Sequence, residues 1–327
     1  MTPRISPGCD FHFYHMLKRL LLLFSFVTTI SQFSFADPGI GIVIDSKGNV
    51  YYTDLKQVWM IKPDGSKTVA VHNVHTHELY IDQQDRLYGE HLWYNGEQLN
   101  TWGHYIWRRN TDGSFLKIKD STAGFTEWYS FTRDVQGNQY YLEKSIPANF
   151  WKIDTAGNKT LIGSKSFAGI GRLHVNTKGI LFFSNKADVY CIPPEDSVEL
   201  FVENVGEAGL PGSEDAHTIW NIWSDSKKNV YLATGNVIKK VDNRRLVEPI
   251  YRSAEGWFPV SGLIAPNGDF WVMEYNKANE VRVNKISIEE RKEIVRSQAW
   301  KMYGIPFLLT ALSVVGLYFL FRRKKTV

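Results

Sequence analysis

Five polar side chains interrupt otherwise apolar strands at one repeated offset in this 327-residue chain. Glu78, Ser130, Arg172, Asn221 and Ser261 each stand seven residues before a tight turn, and Gly41 holds the sixth equivalent place. A carboxylate, a guanidinium, an amide and two hydroxyls at one level can bind a small polar ligand. They can also satisfy one another and trapped water. Histidine gathers beside them: His72, His75 and His77 precede Glu78, and His91 and His104 follow in HLWYNGEQLNTWGHY (91–105), with Trp93, Tyr94, Trp102 and Tyr105. A histidine next to a carboxylate suits general acid–base work, so His77, Glu78 and the distant His217 are the catalytic candidates. His75-x-His77 is a weak metal spacing and no further ligand is specified. No cofactor is expected, with a divalent ion (Ca or Zn) the class left open. Glu78, Ser130, Arg172, Asn221, Ser261, His91, Trp93, Tyr94 and His104 are the candidate ligand-binding residues.

The elements that must position these groups are written six times. IVIDSKGNVYYTD (42–54), LYIDQQDRLYGEH (79–91), FTRDVQGNQYYLE (131–143), LHVNTKGILFFSN (173–185), IWSDSKKNVYLAT (222–234) and GLIAPNGDFWVME (262–274) each read as apolar strand, polar turn, aromatic strand. With Gly48 as reference, the equivalent turn positions are Asp85, Gly137, Gly179, Lys228 and Gly268, spaced 37, 52, 42, 49 and 40 residues apart. A second hairpin follows in blades 1–5, begun by Trp59, Trp107, Trp151, Tyr190 or Ile238 and turned by PDGS (63–66), TDGS (111–114) or TAGN (155–158), degrading to PEDS (194–197). Four strands repeated six times predict an all-β, six-bladed β-propeller over residues 37–287.

Blade 2 spans 22 residues from its turn to Trp107 against 10–14 in blades 1, 3, 4 and 5, which predicts an extra aromatic loop lying as a lid on the ligand face. The acidic, glycine-rich stretch 203–217 reads as a second excursion, bearing His217. A second polar ring six residues after each turn (Asp54, His91, Glu143, Asn185, Thr234, Glu274) is expected to hold turn backbone, with His91 and Glu143 the exceptions. Blade 6 shows only three strands. Either it has three, or residues near Gln32–Gly39 close the ring.

The D-x-x-G-N-V-Y-Y-x-D phrase and the W-x-I-x-P-D-G-S hairpin resemble the NHL-repeat six-bladed propellers, in a superfamily with gluconolactonase/senescence-marker proteins and streptogramin lyases. The resemblance covers about residues 38–287. It implies the fold more strongly than a function, because such propellers host both enzymes and binding modules. A gluconolactonase-like enzyme would hold a divalent metal through Glu, Asn and Asp eight residues before the turn. Here those positions read Ile40, His77, Tyr129, Gly171, Trp220 and Val260, so that metal set is absent. The favoured reading is a ligand-binding or protein-interaction module acting through its channel face on a small polar ligand or a protein partner. The alternative is a hydrolase or lyase using His77 and Glu78, which a channel plugged by Tyr129 and Trp220 would oppose.

The ends account for the charge. The net charge of +4 comes from residues 1–36 and 301–327, leaving 30 basic and 33 acidic residues between them, so nucleic acid is not implied. Lys18-Arg19, the apolar run Leu20–Ile30 and Ser34-Phe35-Ala36 lay out a secretory signal peptide (1–36), with translation starting at Met1 or Met16; an uncleaved anchor is the other reading. Tyr303–Phe321 carries no charge over 19 residues, long enough for a membrane span, and the basic tail 322–327 closes it. Residues 288–302 read as a juxtamembrane helix. The expected topology is single-pass type I, with the propeller periplasmic or at the cell surface and the tail cytoplasmic. Cys191 is the lone cysteine of the exported part, expected as a buried apolar residue.

Overall fold

In four of the six phrases an aspartate three residues before the reference position closes its own turn, with Asn176 and Ala265 in the other two places. Asp45 Oδ1 accepts the N–H groups of Lys47 (3.0 Å) and Asn49 (2.8 Å), while Oδ2 accepts Asn49 Nδ2 (2.7 Å) and the Tyr51 hydroxyl (3.1 Å). Asp134 makes the same four bonds, to Gln136, Asn138 (twice) and Tyr140. Asp82 and Asp225 likewise reach the tyrosine six residues on. The reference position takes positive φ in all six phrases: 82° at Gly48, 56° at Asp85, 86° at Gly137, 78° at Gly179, 71° at Lys228 and 89° at Gly268. Glycine adopts that region without strain, which is why four of the six are glycine.

A computed structural model describes residues 38–96, 98–124, 130–143, 145–167, 169–194, 196–207, 219–287, 289–290 and 293. Six antiparallel sheets follow one another in chain order. The first holds β1 (Ile42–Ile44), β2 (Val50–Thr53), β3 (Val58–Ile61) and β4 (Lys67–Val71); the second β5 (Leu79–Ile81), β6 (Leu87–Tyr94), β7 (Trp102–Arg109) and β8 (Phe115–Ala123). The third holds β9 (Gln139–Glu143), β10 (Ala148–Ile153) and β11 (Lys159–Lys165). The fourth holds β12 (Ile170–Val175), β13 (Leu181–Asn185), β14 (Asp188–Ile192) and β15 (Glu199–Val202). The fifth holds β16 (Ile219–Ser224), β17 (Val230–Thr234), β18 (Val237–Val241) and β19 (Val247–Arg252); the sixth β20 (Trp257–Ile264), β21 (Phe270–Asn276) and β22 (Val281–Ile286). The innermost strand β20 packs against β1, which closes the ring of six blades. The chain is therefore an all-β, six-bladed propeller.

Two expectations change in detail, for blades 3 and 2, and blade 6 takes one of the two forms left open. The inner segment of blade 3 is not a full strand: Thr132 accepts the Tyr140 N–H and Arg133 forms a single bridge with Gln139. Blade 6 has three strands among the described residues; Ile40 and Gly41 instead donate their N–H groups to the His77 carbonyl of blade 2. The blade 2 insertion is no loop. It extends β6 and β7 into a hairpin of two eight-residue strands paired up to Tyr94 and Trp102, with the cross-strand pairs His91–Tyr105 and Trp93–Gly103 carrying the ladder past the turn of the other blades.

The core lies between neighbouring blades. Tyr51, Val58 and Val71 of blade 1 pack on Leu79, Leu87 and Trp107 of blade 2; Phe150 meets Phe183 with ring centroids 4.4 Å apart; Val189 and Cys191 pack on Ile222 and Leu232. Cys191 is buried, and burial, then the neighbouring Glu199, pushes its thiol up to about 12, so it is an inert core residue. After β22, Ser287 and Glu290 exchange reciprocal bonds, a capping box that starts a helix. Residues 1–36, His217, Tyr129 and Tyr303–Phe321 lie outside the described residues. No helix among those described is long and apolar enough to cross a membrane.

Candidate functional site

Antiparallel register decides which residues meet at the channel mouth. Ile42 pairs with Tyr52 and Leu79 with Gly89, so the start of each inner strand lies beside the end of the second strand. A channel cavity of about 420 Å³ runs along the inner strands. Gly41, Glu78, Ser130, Arg172, Asn221 and Ser261 line its mouth, and Val43, Tyr80, Thr132, His174, Trp223 and Leu263 line the level below. The ring read from the sequence is thus one physical ring.

Its members differ in what they have left to offer. Asn221 donates from Nδ2 to Ser261 Oγ (2.8 Å) and accepts the Ile222 N–H (2.8 Å). Ser130 Oγ accepts the Thr132 N–H (3.0 Å). Arg172 is fixed at its inner end: its backbone N–H donates to Ser184 Oγ (3.0 Å) and Nε to the Trp220 carbonyl (3.0 Å). Its Nη1 stands 3.9 Å from Glu78 Oε1, across the blade between them. That is well beyond the separation of a tight charge-assisted bond, so both groups keep bonding capacity towards the channel. The Glu78 side chain keeps 37% of its surface exposed. Burial raises its carboxyl above the usual range, opposed by Arg172.

Behind Glu78 lies a carboxylate that reading the strands does not reveal. Glu90 Oε1 accepts the N–H groups of His77 (2.7 Å) and Glu78 (3.3 Å). Burial, then the nearby Glu78, pushes its carboxyl up to about 8. The corresponding place in blade 4 belongs to Ser184, which supports the Arg172 N–H in the same way. In blade 1 it belongs to Thr53, which donates to the Thr76 carbonyl. The equivalent places in blades 3, 5 and 6 are Leu142, Ala233 and Met273, so Glu90 is the one charged residue at that offset.

The blade 2 histidines lie outside the channel lining, whereas His174 of blade 4 is part of it. His77 Nε2 lies 3.1 Å from His75 Nε2, within hydrogen-bond distance of that ring. His91 accepts the His75 N–H at Nδ1 (3.1 Å) and stacks on Tyr105. Burial is the main cause lowering both His75 and His91 below the usual histidine range. His104 is buried, with Nδ1 2.5 Å from the Gly124 carbonyl. Trp93, Tyr94, Trp102 and His75 line a separate, mostly aromatic cavity of about 330 Å³. The structure therefore brings Glu78, Ser130, Arg172, Asn221 and Ser261 together and places His77, His91, Trp93, Tyr94 and His104 elsewhere.

The second polar ring is largely structural. Asp54 and Glu143 accept the indole N–H groups of Trp59 (2.7 Å) and Trp151 (2.8 Å), and Glu274, fully buried, accepts Tyr251, Arg282 and Asn284. Glu143 is thus an indole anchor and no exception. The divalent metal implied by resemblance to gluconolactonases does not fit the mouth. A guanidinium faces Glu78, and both ends of the Asn221 amide are spent on protein partners. Among the described residues no three His, Cys, Asp or Glu side chains converge on one point.

No family model matches the chain, and no curated protein matches its sequence. Solved structures do share the fold. An auxiliary nutrient binding protein from Bacteroides ovatus superposes with a TM-score of 0.51 at 10% identity, covering 77% of this chain and 70% of that one. A gluconolactonase from Xanthomonas campestris gives 0.50 at 12% identity, covering 72% and 84%. A virginiamycin B lyase from Staphylococcus aureus gives 0.43 at 13% identity, covering 78% and 87%. At these identities the likeness shows the fold alone.

Proposed function

We propose that this propeller is a binding module that takes a small polar ligand into the mouth of its channel, held outside the cell by the C-terminal apolar segment Tyr303–Phe321. One observation carries the reading: Glu78 and Arg172 face each other at 3.9 Å over an open cavity of about 420 Å³, each with bonding capacity unspent. A nutrient binding protein and a gluconolactonase both have a similar fold, so the choice between binding and chemistry rests on the site's own residues. The hydrolase or lyase reading has less support, since His77 pairs with His75 and Glu78 with a cation. Binding of a protein partner through the same face is the other use the mouth allows.

A panel of small polar compounds, followed by thermal unfolding of the full chain, tests this. A ligand at a hundred times its Kd adds about 2.7 kcal/mol of stability. The expected result is a rise in Tm for wild type that vanishes in Ser130→Trp, which fills the mouth. A rise that persists unchanged in Ser130→Trp, or no rise with any compound, would contradict the proposal.

A further inference from the structure

We infer that the ligand is an α-amino acid in its zwitterionic form, recognised at both charged ends by Glu78 and Arg172; this rests on the channel mouth being a ligand site. The inference follows from which valences remain. Gly41 offers no side chain, Asn221 and Ser261 bond to each other, and Ser130 caps the Thr132 N–H. Among the described residues, the guanidinium makes one hydrogen bond, from Nε to the Trp220 carbonyl, and its terminal nitrogens make none. Glu78 has Arg172 as its ion-pair partner, at 3.9 Å.

The mouth thus presents one unspent cation and one unspent anion side by side. A simple carboxylate would gain Arg172 and be repelled by Glu78; an amine would gain Glu78 and be repelled by Arg172. A polyol could hydrogen-bond to either group, but its neutral hydroxyls would balance neither charge. A molecule carrying ammonium and carboxylate on neighbouring atoms completes an alternating square, guanidinium to carboxylate and ammonium to Glu78, with charge-assisted bonds on both sides. The one-carbon spacing within an α-amino acid matches the short gap between the protein's two charges. Below the square, Val43, Tyr80 and Leu263 give the ligand side chain a half-buried, largely apolar wall.

Calorimetry on the purified full chain separates the possibilities, with L-leucine, N-acetyl-leucine, leucine methyl ester, leucyl-leucine, lactate and glucose as probes. L-leucine binds, and blocking either end weakens binding at least 30-fold, because each derivative leaves one protein charge facing its like or nothing. Glu78→Gln and Arg172→Gln each weaken L-leucine at least 10-fold, with near-UV circular dichroism reporting that the fold is kept. The blocked-ligand arm uses wild type only, so it decides even if a variant fails to fold. Binding of lactate or glucose but not L-leucine, lost in Ser130→Trp, would overturn the zwitterion and leave the channel site standing. Tighter binding of leucyl-leucine than of L-leucine would overturn the one-carbon spacing. No binding by any probe overturns the zwitterion, and together with a featureless thermal panel it overturns the site.

Discussion

Glu90 is the residue whose chemistry the fold most constrains. Its carboxyl lies behind the mouth, holds two backbone N–H groups and is pushed up to about 8. In the unfolded chain it ionises near the ordinary value of ~4.3. Between those values the folded chain keeps a proton the unfolded chain has lost, so stability falls as pH rises through that window. Glu90→Gln keeps an oxygen for the His77 and Glu78 N–H groups and removes the slope. Its Tm at pH 8.5 should exceed wild type by about 2–4 °C, on the order of 1 kcal/mol for a chain of this size, and match it at pH 4.5. Parallel Tm profiles would contradict this. Glu78, Arg172 and Asn221 were legible because a polar residue in an apolar strand stands out. Glu90 was not, because it sits in an aromatic strand where polar ends are ordinary. The proximity of His77 to Glu78 in sequence also misled: adjacent side chains turned to different partners, His75 and Arg172.

At the scale of elements, two devices position the mouth. The aspartate turn is one. Asp134→Ala removes four side-chain bonds from the turn below Ser130 and Thr132, and should cost about 1–2 kcal/mol, measured by urea unfolding, with an unchanged slope m. The packing of β6 on β7 is the other. Gly89 lies opposite Trp107, and an added Cβ would stand 2.4 Å from Trp107 Cζ2. Trp107 is fully buried and donates its indole N–H to the Glu90 carbonyl (2.6 Å), so it cannot yield. Gly89→Ala should therefore cost about 1–3 kcal/mol by overpacking and weaken ligand binding through Glu90. A variant as stable as wild type would refute the packing argument. The repeated turns were legible because six copies share one backbone requirement, a positive φ at the reference position. The blade 2 hairpin was not: its length suggested a loop, while Gly103 facing Trp93 and Tyr105 facing His91 let the ladder continue.

For the whole molecule, ring closure turns six scattered residues into one mouth. The propeller was legible in the phrase, and the channel level of each residue followed from its offset. The ligand was not legible, because it depends on which side chains spend their bonds on one another, and only the folded packing decides that. The account also places the propeller on a membrane. The full chain should fractionate with membranes and be released when residues 303–321 are deleted, with the propeller reached by protease from outside intact cells. Recovery of the full chain in the soluble fraction would contradict the tether.

The most direct test is a crystal structure of the protein grown with L-leucine. The account predicts density in the channel mouth, its carboxylate on Arg172 and its ammonium on Glu78. A mouth without ligand, with the density instead in the aromatic cavity of His75, Trp93 and Trp102, would contradict it.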